Sequence, residues 1–250
     1  RWKNYLELKN LGLFVVNTMH DEHLNQKFSY GKLVQFFEGI FERQYYTESG
    51  PLVKSLEKHL SYRFDFKNVI CISNASVAWL MLIDCALSDR SFVIPEGVSR
   101  PFIEAIYWLQ TRHVVNAGDT HFKLLRNDLP GRDMIVVLPL ESSLIKSEPD
   151  AAGIGLNSDR RTIYDTLYLD DILQTEDKHI LDLGIISFDS RYKSLGLGAC
   201  VYTDNDQAAD ELRCMRSSGG VQRKVPVKRT VNGRMSEAQA AFVMTSLGLE

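Results

Sequence analysis

No stretch of this chain approaches the ~20 consecutive apolar residues that an α-helix needs to cross a bilayer, so a helical membrane span is not expected. The opening Arg1-Trp2-Lys3-Asn4 does not lead into a secretory leader, and the lack of Met at position 1 points to a trimmed chain. Cysteine is scarce, with four residues in 250 and no CxxC pair, which argues against a disulfide scaffold. Cys71 and Cys200 lie in strand-like apolar runs and Cys85 and Cys214 in helix-like ones, so all four read as buried free thiols, as in a reducing cytoplasm. The six histidines show no metal-ligand spacing with one another or with cysteine. Charge of one sign is also missing: 29 basic against 32 acidic residues leave a net charge of -3, with no general attraction to nucleic acid or anionic membranes. The one basic run, Arg223, Lys224, Lys228 and Arg229, reads as a solvated loop that could meet a phosphate. No G-x-G-x-x-G or G-x-x-x-x-G-K-[ST] follows any strand, which disfavours the common dinucleotide and P-loop sites.

What is present suits one large α/β domain. Apolar residues make up 44% and charged residues 24% of the chain, enough for a sizeable core. Residues 1–30 have no clear pattern. From Lys32 to Tyr45, Leu33, Phe36, Phe37, Ile40 and Phe41 recur at helical spacing. Pro51 opens a second helix, to Tyr62, with Leu52, Leu56 and Leu60 on one face. Short apolar strands then alternate with helices: strands at Val69–Ile72, Phe92–Ile94, His113–Asn116, Met134–Leu138, Thr162–Tyr164, Gly184–Phe188 and Ala199–Thr203, and helices at Val77–Leu87, Pro101–Gln110 and Asp206–Arg216. This alternation predicts a mainly parallel sheet with helices on both faces, a three-layer arrangement. Ligands of such sheets sit beyond the carboxyl ends of the strands, which directs attention to Ser73–Ser76, Pro95–Ser99, Asp165–Tyr168 and Asp189–Lys193.

Three of these segments hold complementary chemistry. Ser73-Asn74-Ala75-Ser76 joins a buried strand to a helix whose first N–H groups, with the Ser76 hydroxyl, could cradle a phosphate; the same residues also serve as an ordinary helix cap. Asp165 closes a strand and could pair with a protonated ring nitrogen, or be a loop carboxylate. Lys193 precedes a glycine-containing turn; sheltered from water its amine becomes a nucleophile for aldehydes, and exposed it is a solvated loop lysine. A lysine for an aldehyde, an acid for a ring nitrogen and a cradle for a phosphate are together what pyridoxal 5'-phosphate requires.

Longer segments carry a family resemblance. Thr47-Glu48-Ser49-Gly50-Pro51-Leu52-Val53-Lys54-Ser55-Leu56-Glu57 resembles the T-T-G-P-x-V-x-x-F/L-E opening of the DegT/DnrJ/EryC1/StrS nucleotide-sugar aminotransferases. Val69–Ala78 resembles their V-x-V-S-N-G-T-A-A segment, Ser91–Pro95 their V-I-V-P strand, and Asp182–Phe188 their G-D-I-G-x-x-S-F. Tyr202–Asn205 with Leu212–Arg216 is similar to V-x-T-N-D and L-R-x-L-R. The most specific match is Asn232-Gly233-Arg234-Met235-Ser236-Glu237-Ala238-Gln239-Ala240-Ala241, close to N-Y-R-M-S-E-I-Q-A-A. The likeness runs from about Gly31 to about Leu247. It implies a fold-type I, aspartate aminotransferase-like large domain over 31–250, with no counterpart of the family's C-terminal small domain in these residues. It implies that Lys193 bonds the pyridoxal phosphate aldehyde, that Asp165 pairs with the pyridine nitrogen, and that Ala75, Ser76 and Ser187 hold the phosphate. It further implies that Asn232 reaches the partner subunit's cofactor in a homodimer, and that an amino group passes from glutamate or glutamine to a keto-sugar carried on a nucleotide.

The chain departs from that pattern at several cofactor contacts. Ala75 replaces the phosphate-loop glycine, and Ser99 stands where an aromatic ring should stack on the cofactor. Thr166-Leu167-Tyr168 replaces Ala-Ala-Gln/His; Tyr168 could hydrogen-bond the cofactor's phenolic oxygen or block the site. Lys193 lies six residues after Ser187, one more than the family spacing. Two functions therefore stay open: a divergent sugar aminotransferase, or a non-catalytic relative that binds a sugar nucleotide or partners an active enzyme.

Overall fold

The structure, a computed structural model, describes residues 29–47, 50–86, 91–94, 99–109, 114–116, 134–139, 161–166, 183–188, 197–217 and 230–249. Two helices come first, α1 (Tyr30–Arg43) and α2 (Pro51–Phe64). Ser29 caps α1 by accepting from the Lys32 N–H, and Pro51 starts α2, where its missing N–H costs nothing. Next come β1 (Asn68–Ile72), α3 (Ala75–Ala86), β2 (Ser91–Ile94) and α4 (Arg100–Leu109), and then, among the described residues, five strands: β3 (Val114–Asn116), β4 (Met134–Pro139), β5 (Arg161–Thr166), β6 (Leu183–Ser187) and β7 (Ala199–Thr203). Helices α5 (Asp206–Arg216) and α6 (Glu237–Ser246) close the order. Asn205 caps α5, and Ser236 with Gln239 forms a reciprocal capping box on α6.

The seven strands make one sheet in the order β1-β7-β6-β5-β4-β2-β3. The sheet is mainly parallel, as the alternation predicted. The exception is β7, which runs antiparallel to both neighbours, β1 and β6. Strands β1, β2, β4, β5 and β6 therefore end at the same edge, where β7 begins.

Around β1, β7 and β6 both faces are covered. Val69, Cys71, Ile186, Cys200 and Tyr202 point to one side, onto Leu56 and Leu60 of α2 and Ala240 and Met244 of α6. Ile70, Ile72, Ile185, Ala199 and Val201 point to the other, onto Trp79 and Leu82 of α3, Phe102 of α4 and Leu212 of α5. Burial on both faces is why these strands are uninterrupted apolar runs. Phe66 stacks on Tyr202 with ring centroids 4.1 Å apart. One sequence expectation needs correction: Cys85 and Cys214 are only partly buried.

Strand β1 is one edge of the sheet, yet the outer backbone groups of Cys71 are paired. The Cys71 N–H donates to Glu57 Oε1 at 2.9 Å, and the Cys71 carbonyl accepts from Arg216 Nη1 at 2.8 Å. Arg216 and Glu57 bind each other at 2.6 Å. Next along, the Ser73 N–H donates to the Gly233 carbonyl, and Ile72 bridges Arg234. An ion pair and the 231–235 segment thus take the place of an eighth strand and shield the edge from stray pairing.

Candidate functional site

The edge where the parallel strands end gathers the expected residues that the structure describes. Ala75 and Ser76 form the first turn of α3, directly beyond β1. Asp165 is the penultimate residue of β5, in register with Ile185 of β6 and Pro139 of β4. Ser187 ends β6, buried, in register with Ala199. From β1 to β5 is three strand spacings, about 14 Å. Lys193 and Tyr168 lie outside the described residues, as does the basic run Arg223–Arg229.

The turn into α3 is anchored from three directions. Asn74 caps the helix: its Oδ1 accepts from the Val77 N–H at 2.8 Å and its carbonyl from the Ala78 N–H. Gln239 Nε2 donates to the Ser73 carbonyl at 2.9 Å. Gly198, at φ 104°, lies under the turn, and a Cβ there would come within 2.7 Å of the Ile72 carbonyl and 2.5 Å of Met235. Beside it, Gly233 passes close to Val77 and Met81. The N–H groups of Ala75 and Ser76 meet no acceptor among the described residues. They are the free first-turn donors of α3, at the edge where β5 and β6 end.

The Ser76 hydroxyl has a protein partner. It donates to Glu104 Oε2 of α4 at 3.0 Å, and Glu104 Oε1 in turn meets Arg100 Nε at 2.9 Å. The two helices meet in a seam where Trp79 packs edge-on against Phe102, centroids 4.7 Å apart. Ser99, the position expected to carry a stacking aromatic, is the buried N-cap of α4. Its carbonyl accepts from the Phe102 and Ile103 N–H groups, and its Oγ lies 3.4 Å from the Phe102 N–H. Asn232 is exposed, bridges Ser217, and accepts from Arg234 Nε at 3.0 Å.

The signature segment around Asn232–Ala241 proves to be a set of fastenings. The Glu237 carboxylate is buried and accepts the N–H groups of Leu52 and Val53, at 2.9 and 3.1 Å, at the start of α2. Gly50 leaves room for it, since a Cβ there would lie 2.5 Å from Glu237 Cδ. Two segments that resemble family motifs, about 185 residues apart, thus bind each other. Sequence reading missed Glu104, Glu57 and Arg216 as partners. The Arg100–Glu104 spacing shows only an i,i+4 pair, and nothing local says that Glu104 faces α3.

No protein-family model matches this chain, and no curated protein matches it in sequence. Solved structures do. PseC of Helicobacter pylori, an aminotransferase involved in the biosynthesis of pseudoaminic acid, superposes with a TM-score of 0.70 at 16% identity, over 87% of this chain and 62% of PseC. NtdA of Bacillus subtilis, with bound cofactor PMP, does so with a TM-score of 0.68 at 15% identity, over 90% of this chain and 54% of NtdA. A DegT DnrJ EryC1 StrS aminotransferase from Brucella abortus gives 0.65 at 17% identity, over 87% of this chain and 63% of that one. This is the fold of the sugar aminotransferases. The chain spans roughly three fifths of their length. The two N–H groups of α3 that meet no acceptor among the described residues, with Ser187 at the same sheet edge, fit the phosphate end of the pyridoxal cofactor such folds carry; among the described residues the Glu104 carboxylate beside Ser76 opposes it.

Proposed function

We propose that residues 31–250 form the three-layer, fold-type I large domain of a pyridoxal phosphate-dependent aminotransferase. Its substrates are a keto-sugar carried on a nucleotide and an amino donor, glutamate or glutamine. The observation that carries the reading is the pair of Ala75 and Ser76 N–H groups, without an acceptor among the described residues, at the sheet edge where β5 ends in Asp165-Thr166 and β6 in Ser187. In this reading Ala75, Ser76 and Ser187 hold the phosphate, and Asp165 keeps the ring nitrogen protonated. Tyr168 hydrogen-bonds the phenolic oxygen. Lys193 would hold the cofactor through its aldehyde, and its amine would be the group placed to move a proton there. When bound, the cofactor supplies an electron sink for the substrate carbanion. Asn232, exposed beside Arg234, reaches the partner subunit's cofactor phosphate in a homodimer.

A second reading, a non-catalytic relative that binds a sugar nucleotide or partners an active enzyme, draws on Ser99 acting as a helix cap and on Glu104 holding the Ser76 hydroxyl. Absorption spectra with pyridoxal phosphate separate the two. The enzyme reading expects a visible band that borohydride abolishes and that Lys193→Ala and Lys193→Arg both lack while staying folded. No band in the wild type at saturating cofactor favours the non-catalytic relative, and a band that survives in Lys193→Ala moves the reactive amine to another lysine.

A further inference from the structure

We propose that Glu104 is a carboxylate gate on the phosphate end of this site, setting how tightly the chain holds a phosphorylated ligand; the inference rests on the cofactor reading above. A serine hydroxyl has one proton to donate. In this structure the Ser76 proton goes to Glu104 Oε2 at 3.0 Å. A phosphate bound to the Ala75 and Ser76 N–H groups would compete for that same proton. It would also stand within about 5 Å of a like-charged carboxylate, close enough for direct repulsion. Glu104 does not reach this position by chance rotation alone. The Trp79–Phe102 contact fixes the α3–α4 seam, and Arg100 holds the carboxylate's second oxygen at 2.9 Å. Arg100 is highly exposed and Glu104 about half so, so water screens their pair and Arg100 offsets the carboxylate only weakly. Phosphate entry therefore requires Glu104 to release Ser76 and swing toward solvent. A ligand without a phosphate pays no such cost, so the gate acts on the phosphate and not on the pyridine ring.

The test measures equilibrium binding of pyridoxal phosphate and of unphosphorylated pyridoxal to the wild type, Glu104→Gln and Glu104→Ala, by absorbance and by quenching of intrinsic fluorescence. Far-UV circular dichroism checks that each variant is folded. The ratio of the two affinities isolates the phosphate. Glu104→Gln keeps the shape and removes the charge; the expected result is a gain in pyridoxal phosphate affinity on the order of tenfold, with pyridoxal unchanged and the gain shrinking in high salt. Glu104→Ala also frees the Ser76 proton and should gain at least as much. If the wild type binds pyridoxal phosphate in preference to pyridoxal and neither variant improves on it, the gate is wrong and the cofactor reading stands. If none of the three prefers pyridoxal phosphate over pyridoxal, both fall.

Discussion

Replacing Glu237 with alanine tests the fastening that joins the two ends of the fold. Its carboxylate sits at 1% exposure and accepts the first free N–H groups of α2, from Leu52 and Val53, at 2.9 and 3.1 Å. Each hydrogen bond to a charged acceptor contributes about 1.5–3 kcal/mol. The negative charge at a helix N-terminus adds roughly 0.3–1 kcal/mol. Because these contributions overlap, the expected loss is about 3–5 kcal/mol, against a typical domain stability of roughly 5–15 kcal/mol. Glu237→Gln keeps one acceptor but aims an amide N–H at the other donor, so about 2 kcal/mol is expected. Urea denaturation followed by circular dichroism reads both losses as a lowered midpoint at unchanged slope. Gly50→Ala should destabilise through the same pocket, since its Cβ would lie 2.5 Å from Glu237 Cδ and 2.6 Å from Tyr45 Cδ1. In the Glu237→Ala background its cost should shrink, a coupling that distant sites do not show. A loss below about 1 kcal/mol for Glu237→Ala would refute the reasoning, because two buried N–H groups cannot lose a charged acceptor so cheaply.

Two further outcomes follow from the shielded sheet edge and its thiols. Arg216→Met should cost about 3–5 kcal/mol, because it strands the Glu57 carboxylate beside the Cys71 backbone. The Glu57→Gln/Arg216→Met pair should not regain wild-type stability in urea denaturation, since the Cys71 carbonyl still loses its donor; full recovery would show that the edge needs no such pairing. Burial first, and then the nearby Glu57 carboxylate, push the Cys71 and Cys200 thiols well above their ordinary range. The unfolded chain releases those protons above about pH 8.5 and the folded chain keeps them, so stability is full below that pH and falls as pH rises. Urea midpoints at pH 7 and pH 10 check the direction, and a Cys71→Ala/Cys200→Ala variant should show the smaller fall.

The elements themselves were legible in the residues. Runs such as Val69–Ile72 and Ala199–Thr203 and Pro51 at a helix start report local backbone preference and burial, which neighbouring residues express directly. The position of Ala75–Ser76, Asp165 and Ser187 at strand ends was legible too, since each follows or closes an apolar run and parallel strands end together. The reversed direction of β7 was not legible, because an antiparallel strand buried on both faces has the same apolar run as a parallel one. Nor were the polar partnerships. Glu237 with α2, Arg216 and Glu57 with the edge of β1, and Glu104 with Ser76 join residues from 14 to 185 positions apart. A carboxylate has the same local pattern whether it faces water or a buried N–H. Which of the two it meets is decided when the helices pack, and here that packing turned Glu237 into a fastening and set Glu104 beside the hydroxyl the sequence had assigned to a phosphate.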